Sequence, residues 1–187
     1  MQYYKEIRWH GRGGHGIVST SNILCEMAVL KGYYAQSIPV FGAERRGAPT
    51  RASTRISDKP IYRRSEVKEP DIVVVTDSTL FNIVDPLNGL KGDGVVIVNV
   101  DNVDKLGEDV RSKYRVIPVN AIDISLKVGL TVGGIQVVTI PLLGALIKVL
   151  GIIDLDTAIR VLRSKWEGGL AEKNIKALEM ALEVVEA

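Results

Sequence analysis

The sequence predicts an α/β protein with a Rossmann-like, doubly wound and mostly parallel sheet, an antiparallel hairpin insertion and C-terminal helices. Two apolar runs rich in β-branched residues, 71–76 and 95–100, are typical of strands buried on both faces of a parallel sheet. A glycine-rich turn, 10–16, joins a strand-like segment to a helix-like one, and strands that alternate with helices favour a doubly wound layer. The length of 187 residues predicts a single domain over 1–187.

The N-terminal region predicts a β-α-β unit. Residues 3–9 place β-prone side chains at alternate positions and predict a first strand that ends at the glycine-rich turn. Residues 17–30 carry apolar side chains at helical spacing, and Gly32 is well placed to end that helix. A short second strand over 33–38 completes the unit.

The hairpin insertion is predicted from the segment that follows. Residues 50–57 alternate Arg51, Ser53 and Arg55 with less polar side chains, which indicates a half-buried strand. Residues 58–60 form a turn, and residues 61–67 are expected to return beside the strand as its antiparallel partner.

The rest of the chain predicts short connections, one more strand and a helical C-terminal part. A short helix is expected over 80–84, a polar helix-like stretch over 101–113, a buried strand over 116–119, and helices over 121–128, 136–150, 154–165 and 170–187. The most apolar stretch, 137–153, contains Pro141 and Lys148 and is short for a membrane span, which needs roughly 17–25 residues. We therefore expect a buried core helix and no membrane association.

Charge and cysteine content limit the classes of function. The net charge of +2 hides an excess of basic residues in 1–70 and of acidic residues in 71–187. The basic half suits an anionic ligand or an acidic partner subunit, with solvated surface as the alternative. No nucleic-acid motif is present, so nucleic acid is not an expected partner. Cys25 is the only cysteine, which excludes an intrachain disulfide and a cluster held by four thiolates of this chain. The first residues lack the apolar core of a signal peptide, and a cytoplasmic location is expected.

The glycine-rich turn is the first candidate site. Its glycines satisfy G-x-G-x-x-G, but residues 34–37 lack the acidic residue that would bind a ribose, and residues 17–18 replace the Lys-Ser/Thr of a phosphate loop. An anion site and a purely structural turn both remain open, and the candidate binding residues are Gly11, Arg12, Gly13, Gly14, His15 and Gly16. His15 is interpreted as a helix cap, with a hydrogen-bonding or anion-binding role as the alternative. Nothing in the spacing of the two histidines supports a metal site.

The second candidate site is a loop over 39–49 that contains two prolines and two glycines around a charged centre. Paired guanidinium groups suit phosphate or carboxylate recognition, and the candidate binding residues are Glu44, Arg45, Arg46 and Gly47. No Ser/His/Asp or Cys/His nucleophile set is visible, so no catalytic residue is assigned. Cys25 lies on an apolar helical face and is interpreted as a packing residue.

These two segments, residues 9–16 (WHGRGGHG) and 41–49 (FGAERRGAP), resemble the two sequence signatures of the gamma subunit of pyruvate and other 2-oxoacid:ferredoxin oxidoreductases. The similarity continues through residues 56–61, 70–71 and 143–146 and covers most of the chain. One departure is His15, which stands where glutamine is expected in many members.

The resemblance implies an accessory, non-catalytic subunit of an enzyme that converts a 2-oxoacid, coenzyme A and oxidised ferredoxin into acyl-CoA, carbon dioxide and reduced ferredoxin. It implies that thiamine diphosphate is bound by the alpha and beta subunits, and the iron–sulfur clusters by a ferredoxin-like delta subunit and often the beta subunit. No cofactor is then bound by this chain alone, although the two candidate segments could contact the phosphates of coenzyme A or an acidic patch of a partner subunit. The alternatives are a free-standing Rossmann-like nucleotide-binding protein and a structural interaction module. Whether the isolated chain forms a homodimer is a question that the sequence leaves open.

Overall fold

A six-stranded sheet forms the centre of the protein, in a computed structural model that describes residues 2–40 and 47–185. Its strands are β1 (Tyr4–Arg12), β2 (Tyr34–Val40), β3 (Pro49–Ser57), β4 (Ile72–Val75), β5 (Val95–Asn99) and β6 (Arg115–Val119). Their spatial order is β2-β3-β1-β4-β5-β6. Strands β1, β4, β5 and β6 are parallel to one another, whereas β3 runs antiparallel to both β1 and β2. The prediction of a mostly parallel α/β sheet with an antiparallel insertion is therefore confirmed.

The helices cover both faces of this sheet and form the C-terminal part of the chain. They are α1 (Ile17–Leu30), α2 (Glu108–Lys113), α3 (Ala121–Lys127), α4 (Thr139–Leu150), α5 (Leu155–Lys165) and α6 (Gly168–Val184). Two 3-10 helices (Ser78–Asn82 and Val103–Lys105) and a small hairpin, β7 (Thr131–Val132) and β8 (Ile135–Gln136), complete the elements. The end of α1 is as predicted, because Gly32 adopts a positive φ of 85° and the Tyr33 N–H bonds back to the Ala28 carbonyl at 3.0 Å.

The two faces of β1 have different chemistry. Ile7 and Trp9 point towards α1 and belong to the larger apolar core, which extends to α4, α5 and α6. Glu6, Arg8 and His10 alternate with them and are buried on the opposite face. In the β4–β5 half, the opposite face instead carries a second apolar cluster that packs under residues 80–106. The connection that follows β1 thus covers one face of the sheet, and the connections that follow β4 and β5 cover the opposite face. A topological switch point therefore lies between β1 and β4.

The predicted hairpin partner over 61–67 is wrong, because no strand forms there. Both edges of β3 are already paired, with Ala52 opposite Trp9 of β1 and Thr54 opposite Ser37 of β2. Residues 61–67 have no free edge of β3 to join. Residues 62–65 are exposed, the Arg63 carbonyl accepts from Nη1 of Arg55 at 3.3 Å, and Val67 is buried.

Several element boundaries also differ from the prediction. The first strand does not stop at Trp9, because its pairing with β3 continues as far as Arg12 opposite Pro49. The predicted helix over 80–84 is the 3-10 helix Ser78–Asn82, and the polar stretch over 101–113 is divided into a 3-10 helix and α2. The helix predicted from residue 136 begins at Thr139, since the hairpin uses residues 131–136.

The predicted core helix in the most apolar stretch is α4. It is buried along most of its length, and α6 packs so closely on it that a β-carbon on Gly144 would lie 2.6 Å from the Leu178 carbonyl oxygen. Within residues 2–40 and 47–185, no helix has the length and apolar character that crossing a bilayer requires.

Candidate functional site

The glycine-rich turn lies at the carboxyl ends of the parallel strands, beside the switch point. The His15 N–H bonds to the Arg12 carbonyl at 2.9 Å and closes a β-turn in which Gly14 has a φ of 94°. Gly16, with a φ of 80°, leads into α1. Gly11 is required for a different reason, since a β-carbon there would lie 2.7 Å from Cγ2 of Ile17. The glycines therefore permit both the turn and the close approach of helix and strand.

The turn is joined to the end of the second candidate segment by main-chain hydrogen bonds. The Gly13 N–H donates to the Ala48 carbonyl at 2.8 Å, and the Gly47 N–H donates to the Gly13 carbonyl at 3.0 Å. The two candidate segments, which were expected to lie side by side, are thus in contact at Gly47. The other three candidates of this segment, Glu44, Arg45 and Arg46, lie outside the described residues.

Arg12 holds three parts of this edge together. Its Nε pairs with the carboxylate of Asp77, its Nη1 donates to the Gly47 carbonyl at 3.0 Å, and its Nη2 donates to Oγ1 of Thr79 at 2.7 Å. Burial would raise the pKa of Asp77, but the hydrogen bonds from Arg12 and Thr79 outweigh it and hold the pKa below its usual value. The guanidinium is therefore engaged with protein acceptors and positions the loop end against β4.

His15 does not cap α1, contrary to the expectation from the sequence. Its Nδ1 lies 2.9 Å from Oγ1 of Thr76, and no described side chain caps the start of α1. Burial is the main cause that lowers the pKa of His15, so the ring is neutral at pH 7. The ring therefore ties the turn to the residue that follows β4. Among the described residues, no group of three or more potential metal-binding His, Cys, Asp or Glu side chains occurs.

Two helix N-termini meet at the turn. In the part of the chain that the structure describes, no side chain caps the N-terminus of α1 or α4, and neither helix has an acidic residue in its first turn. The position of a β-carbon on Gly16 is 3.9 Å from Oγ1 of Thr139, the first residue of α4. Uncapped N–H groups and the positive ends of two helix dipoles favour an anion at this place.

A pocket of about 430 Å³ opens at the same edge of the sheet, on the face that carries the even-numbered side chains of β1. His10, Thr50, Arg51, Asp85 and Asn88 provide its polar side chains. Its aliphatic lining consists of Val40, Pro49, Leu80 and Val84. The volume and the mixture of aliphatic walls with a few polar groups are typical of small-molecule sites.

A buried arginine supports the polar wall of this pocket. Arg8 is 5% exposed, and its Nε donates to Nε2 of His10 at 3.1 Å. Its other nitrogens donate to main-chain carbonyls, those of Lys68, Pro86 and Asn88. Burial, together with the charges of Arg8 and Arg51, lowers the pKa of His10 to about 3. His10 is therefore neutral, with its proton on Nδ1, because Nε2 accepts from Arg8.

An ion pair lies in the same polar layer, deeper under β1 and β3. Nε of Arg55 lies 2.7 Å from Oε1 of Glu6, and the Arg55 side chain is fully buried. Nη1 of Arg55 has longer contacts with the Gln36 side chain and the Arg63 carbonyl, and Nη2 has no hydrogen-bond partner among the described residues. The alternation of Arg51, Ser53 and Arg55 predicted a half-buried strand, which is wrong, because the structure buries residues 52–57 on both faces of the sheet. Nothing in the sequence pointed to Asp85 or to the burial of Arg8.

Comparison with known proteins decides the family. The family model described as pyruvate ferredoxin/flavodoxin oxidoreductase matches residues 6–184. The chain belongs to this family. Within it, the pyruvate/ketoisovalerate oxidoreductases common subunit gamma of Thermococcus litoralis is 42% identical over 179 residues, which cover 95% of each chain. The predicted resemblance to the gamma subunit is confirmed, and with it the prediction of an oxidoreductase subunit.

Solved structures of related oxidoreductases have the same fold. The pyruvate oxidoreductase subunit PORC of Thermotoga maritima (EC 1.2.7.1) is 36% identical, covers 96% of each chain and superposes with a TM-score of 0.80. The fold is also found within the 2-oxoglutarate:ferredoxin oxidoreductase of Magnetococcus marinus, whose structure holds 2-oxoglutarate, coenzyme A and succinyl-CoA. That match has 17% identity and a TM-score of 0.79, and covers 98% of this chain but 31% of the other.

Proposed function

We propose that this gamma subunit works, as one domain over residues 1–187, in a cytoplasmic complex with alpha, beta and ferredoxin-like delta subunits. The complex oxidatively decarboxylates a 2-oxoacid of the pyruvate type to an acyl-CoA and passes the electrons to ferredoxin. Full-length similarity to gamma subunits supports this assignment. The isolated chain is expected to be inactive, since no Ser/His/Asp or Cys/His nucleophile set is visible in the sequence.

The redox and decarboxylation cofactors belong to the partner subunits in this proposal. An iron–sulfur cluster needs several thiolates, and the chain has one cysteine. Burial raises the pKa of the Cys25 thiol to about 12, so it remains protonated and is a poor ligand. The residues of this chain therefore do not fit a cluster.

Contact with the phosphates of coenzyme A is the role that the geometry of the turn supports best. The single observation that carries this role is the meeting of two uncapped helix N-termini at Gly16 and Thr139, beside the end of the arginine-containing segment. Phosphate groups bind well at such places because several N–H donors and the helix dipoles act together. An acidic patch of a partner subunit is the second candidate, favoured by the excess of basic residues over 1–70.

Replacing Arg45 and Arg46 by alanine in the assembled enzyme tests this role. A raised KM for coenzyme A with intact assembly supports the phosphate contact, whereas loss of co-purification with the other subunits supports the acidic patch. The matched control replaces Arg63 and Arg64, two exposed arginines elsewhere in the basic half, and should change neither quantity. If both double variants behave like the wild type, the proposed role of the loop is wrong.

A further inference from the structure

The edge of the sheet opposite the candidate site carries an exposed group of tyrosine and basic side chains. Strand β3 ends there at Ser57, and β1 begins there at Tyr4. With a rise of about 3.3 Å per residue, the nine residues of β1 place this edge roughly 26 Å from Arg12 at the glycine-rich turn. A function of this edge is therefore separate from the ligand contacts proposed at the turn.

Five exposed side chains make up this group, which we call the tyrosine–arginine surface. Tyr62 is 87% exposed, although a ring of this size gains free energy when it is buried. Tyr34, at the start of β2, is 50% exposed. The other members, all exposed, are Lys59, Arg63 and Arg64. Tyrosine and arginine are among the side chains that contribute most to protein–protein binding, so this composition indicates a docking surface.

The buried guanidinium of Arg55 connects the two segments that carry the tyrosines. Its Nη1 lies 3.4 Å from Oε1 of Gln36 and 3.3 Å from the carbonyl oxygen of Arg63. Tyr34 lies on the same face of β2 as Gln36, because side chains alternate along a strand. The segment that contains Tyr62 and Arg63 therefore lies beside the start of β2, and the two tyrosines belong to one surface.

The exposed segment 58–65 is held in place by hydrogen bonds. The Tyr3 N–H donates to Oδ2 of Asp58 at 3.0 Å, and the Asp58 N–H donates to the Tyr3 carbonyl at 3.1 Å. The Lys59 N–H donates to Oγ of Ser57 at 3.0 Å. Because the segment is anchored both here and near its middle, ordering it on binding costs little conformational entropy. Its exposed side chains are therefore preorganised for a partner.

The tyrosine–arginine surface carries positive charge that the protein itself does not use. Within residues 2–40 and 47–185, the side chains of Lys59 and Arg64 have no ion-pair or hydrogen-bond partner, and Arg63 donates only to Oγ of Ser65, at 3.3 Å. Asp58 is the single carboxylate of residues 58–65, against three basic side chains. Free cations of this kind attract carboxylates of another protein over a Debye length of about 8–10 Å.

The chemistry of this surface fits an acidic protein that binds and leaves. Permanent subunit interfaces are large and more hydrophobic, whereas contacts between electron-transfer partners are small and are steered by charge. In the proposed function, ferredoxin is a separate protein that must bind and dissociate in every reaction cycle. A few unpaired cations beside an exposed tyrosine provide such a contact.

We propose that the tyrosine–arginine surface is part of the docking site for the electron acceptor, a ferredoxin whose docking face carries carboxylates. Tyr62 packs against this partner, and Lys59, Arg63 and Arg64 attract its carboxylates. The inference rests on the proposed function, because it needs an enzyme that reduces ferredoxin. The clusters that deliver the electrons belong to the partner subunits, so this chain contributes binding and no redox step.

Steady-state kinetics of the assembled enzyme, with ferredoxin as the varied substrate, test this docking site. Arg63→Ala/Arg64→Ala should raise the KM for ferredoxin about fivefold at low ionic strength, the effect of losing two exposed charge pairs. Tyr62→Ala should raise it by a similar factor. Added salt should raise the KM of the wild type more than that of the double variant. With methyl viologen, a small acceptor that needs no protein docking, kcat should be unchanged.

The matched control is Arg160→Ala/Arg163→Ala, which removes two exposed arginines of α5 and should leave the KM for ferredoxin unchanged. An unchanged KM in Arg63→Ala/Arg64→Ala, or an equal rise in the control, overturns the docking site. Loss of co-purification in Arg63→Ala/Arg64→Ala would make the surface a permanent subunit contact and would also overturn it. The same holds if the wild type binds a single-stranded oligonucleotide that this variant no longer binds while the KM for ferredoxin is unchanged.

Failure of the docking site and failure of the proposed function give different results. If the assembled wild-type enzyme reduces methyl viologen with a 2-oxoacid and coenzyme A, and the KM for ferredoxin does not respond to the substitutions, only the docking site is wrong. If the wild-type enzyme reduces neither acceptor, the proposed function is wrong, and the docking site is overturned with it.

Discussion

The buried pair of Glu6 and Arg55 provides a direct test of how the polar layer under the pocket is stabilised. Replacing Glu6 by alanine removes the carboxylate that lies 2.7 Å from Nε of Arg55. Arg55 is fully buried and its Nη1 keeps contacts of 3.3 and 3.4 Å, while its Nη2 already lacks a partner within residues 2–40 and 47–185. The variant thus leaves a guanidinium in the interior with two long hydrogen bonds and without its ion-pair partner.

The expected loss in the free energy of unfolding is about 3–5 kcal/mol, the usual effect of breaking a buried ion pair. A domain of this kind has a total stability of about 5–15 kcal/mol, so the change is easily measured by urea unfolding followed by circular dichroism. The double variant Glu6→Ala/Arg55→Met should recover much of the loss, because the unpaired charge is then absent.

The matched control is Glu172→Ala, which breaks the pair with Arg163. Those side chains are 62% and 60% exposed and lie 3.0 Å apart, so the expected change is below about 1 kcal/mol. If Glu6→Ala costs no more than Glu172→Ala, or if adding Arg55→Met restores nothing, the argument about the uncompensated charge is refuted.

Two further predictions follow from the same region of the sheet. Gly11→Ala should lower the free energy of unfolding by about 1–3 kcal/mol, since the new β-carbon would lie 2.7 Å from Ile17. In the control Gly92→Ala, the new β-carbon has no described atom within 4 Å, and an equal loss of stability in both variants would contradict the role of close packing. The pKa of His10 is about 3 in the folded protein against an ordinary 6.5, so between these values only the unfolded chain binds this proton and stability falls as the pH is lowered. Urea unfolding at several pH values should show a weaker pH dependence for His10→Gln, by up to ~1.4 kcal/mol per pH unit, and parallel curves would disprove the assignment.

The elements of the fold were largely predictable because their signals are local. The apolar runs of β4 and β5 identify themselves by composition, and α1 by helical spacing with Gly32 at its end. The position of β3 between β1 and β2 was not predictable in this way. Strand pairing joins residues that are far apart in the chain, so local signals do not choose between partners. From the sequence, residues 61–67 and β2 were equally plausible partners for β3, and only the structure shows that β1 and β2 fill both of its edges.

The candidate site, like the fold, was predicted only in part from the sequence. The glycines of the turn and the segment that ends at Gly47 were found from the sequence, and the structure brings Gly13 and Gly47 into contact. The pocket was missed, because His10, Arg51 and Asp85 come from three separate segments and converge only when the sheet forms.

The resemblance of two sequence motifs was sufficient for the family. Local sequence also predicted most of the strands and helices and the glycine-rich turn, because glycine content and side-chain periodicity act on a few neighbouring residues. Only the packed chain decides that Arg12 is occupied by Asp77 and Thr79, and that His15 bonds to Thr76 instead of capping α1. The reason is physical: whether a charged or polar side chain is free for a ligand depends on the groups that burial places opposite it, and those groups come from distant parts of the chain.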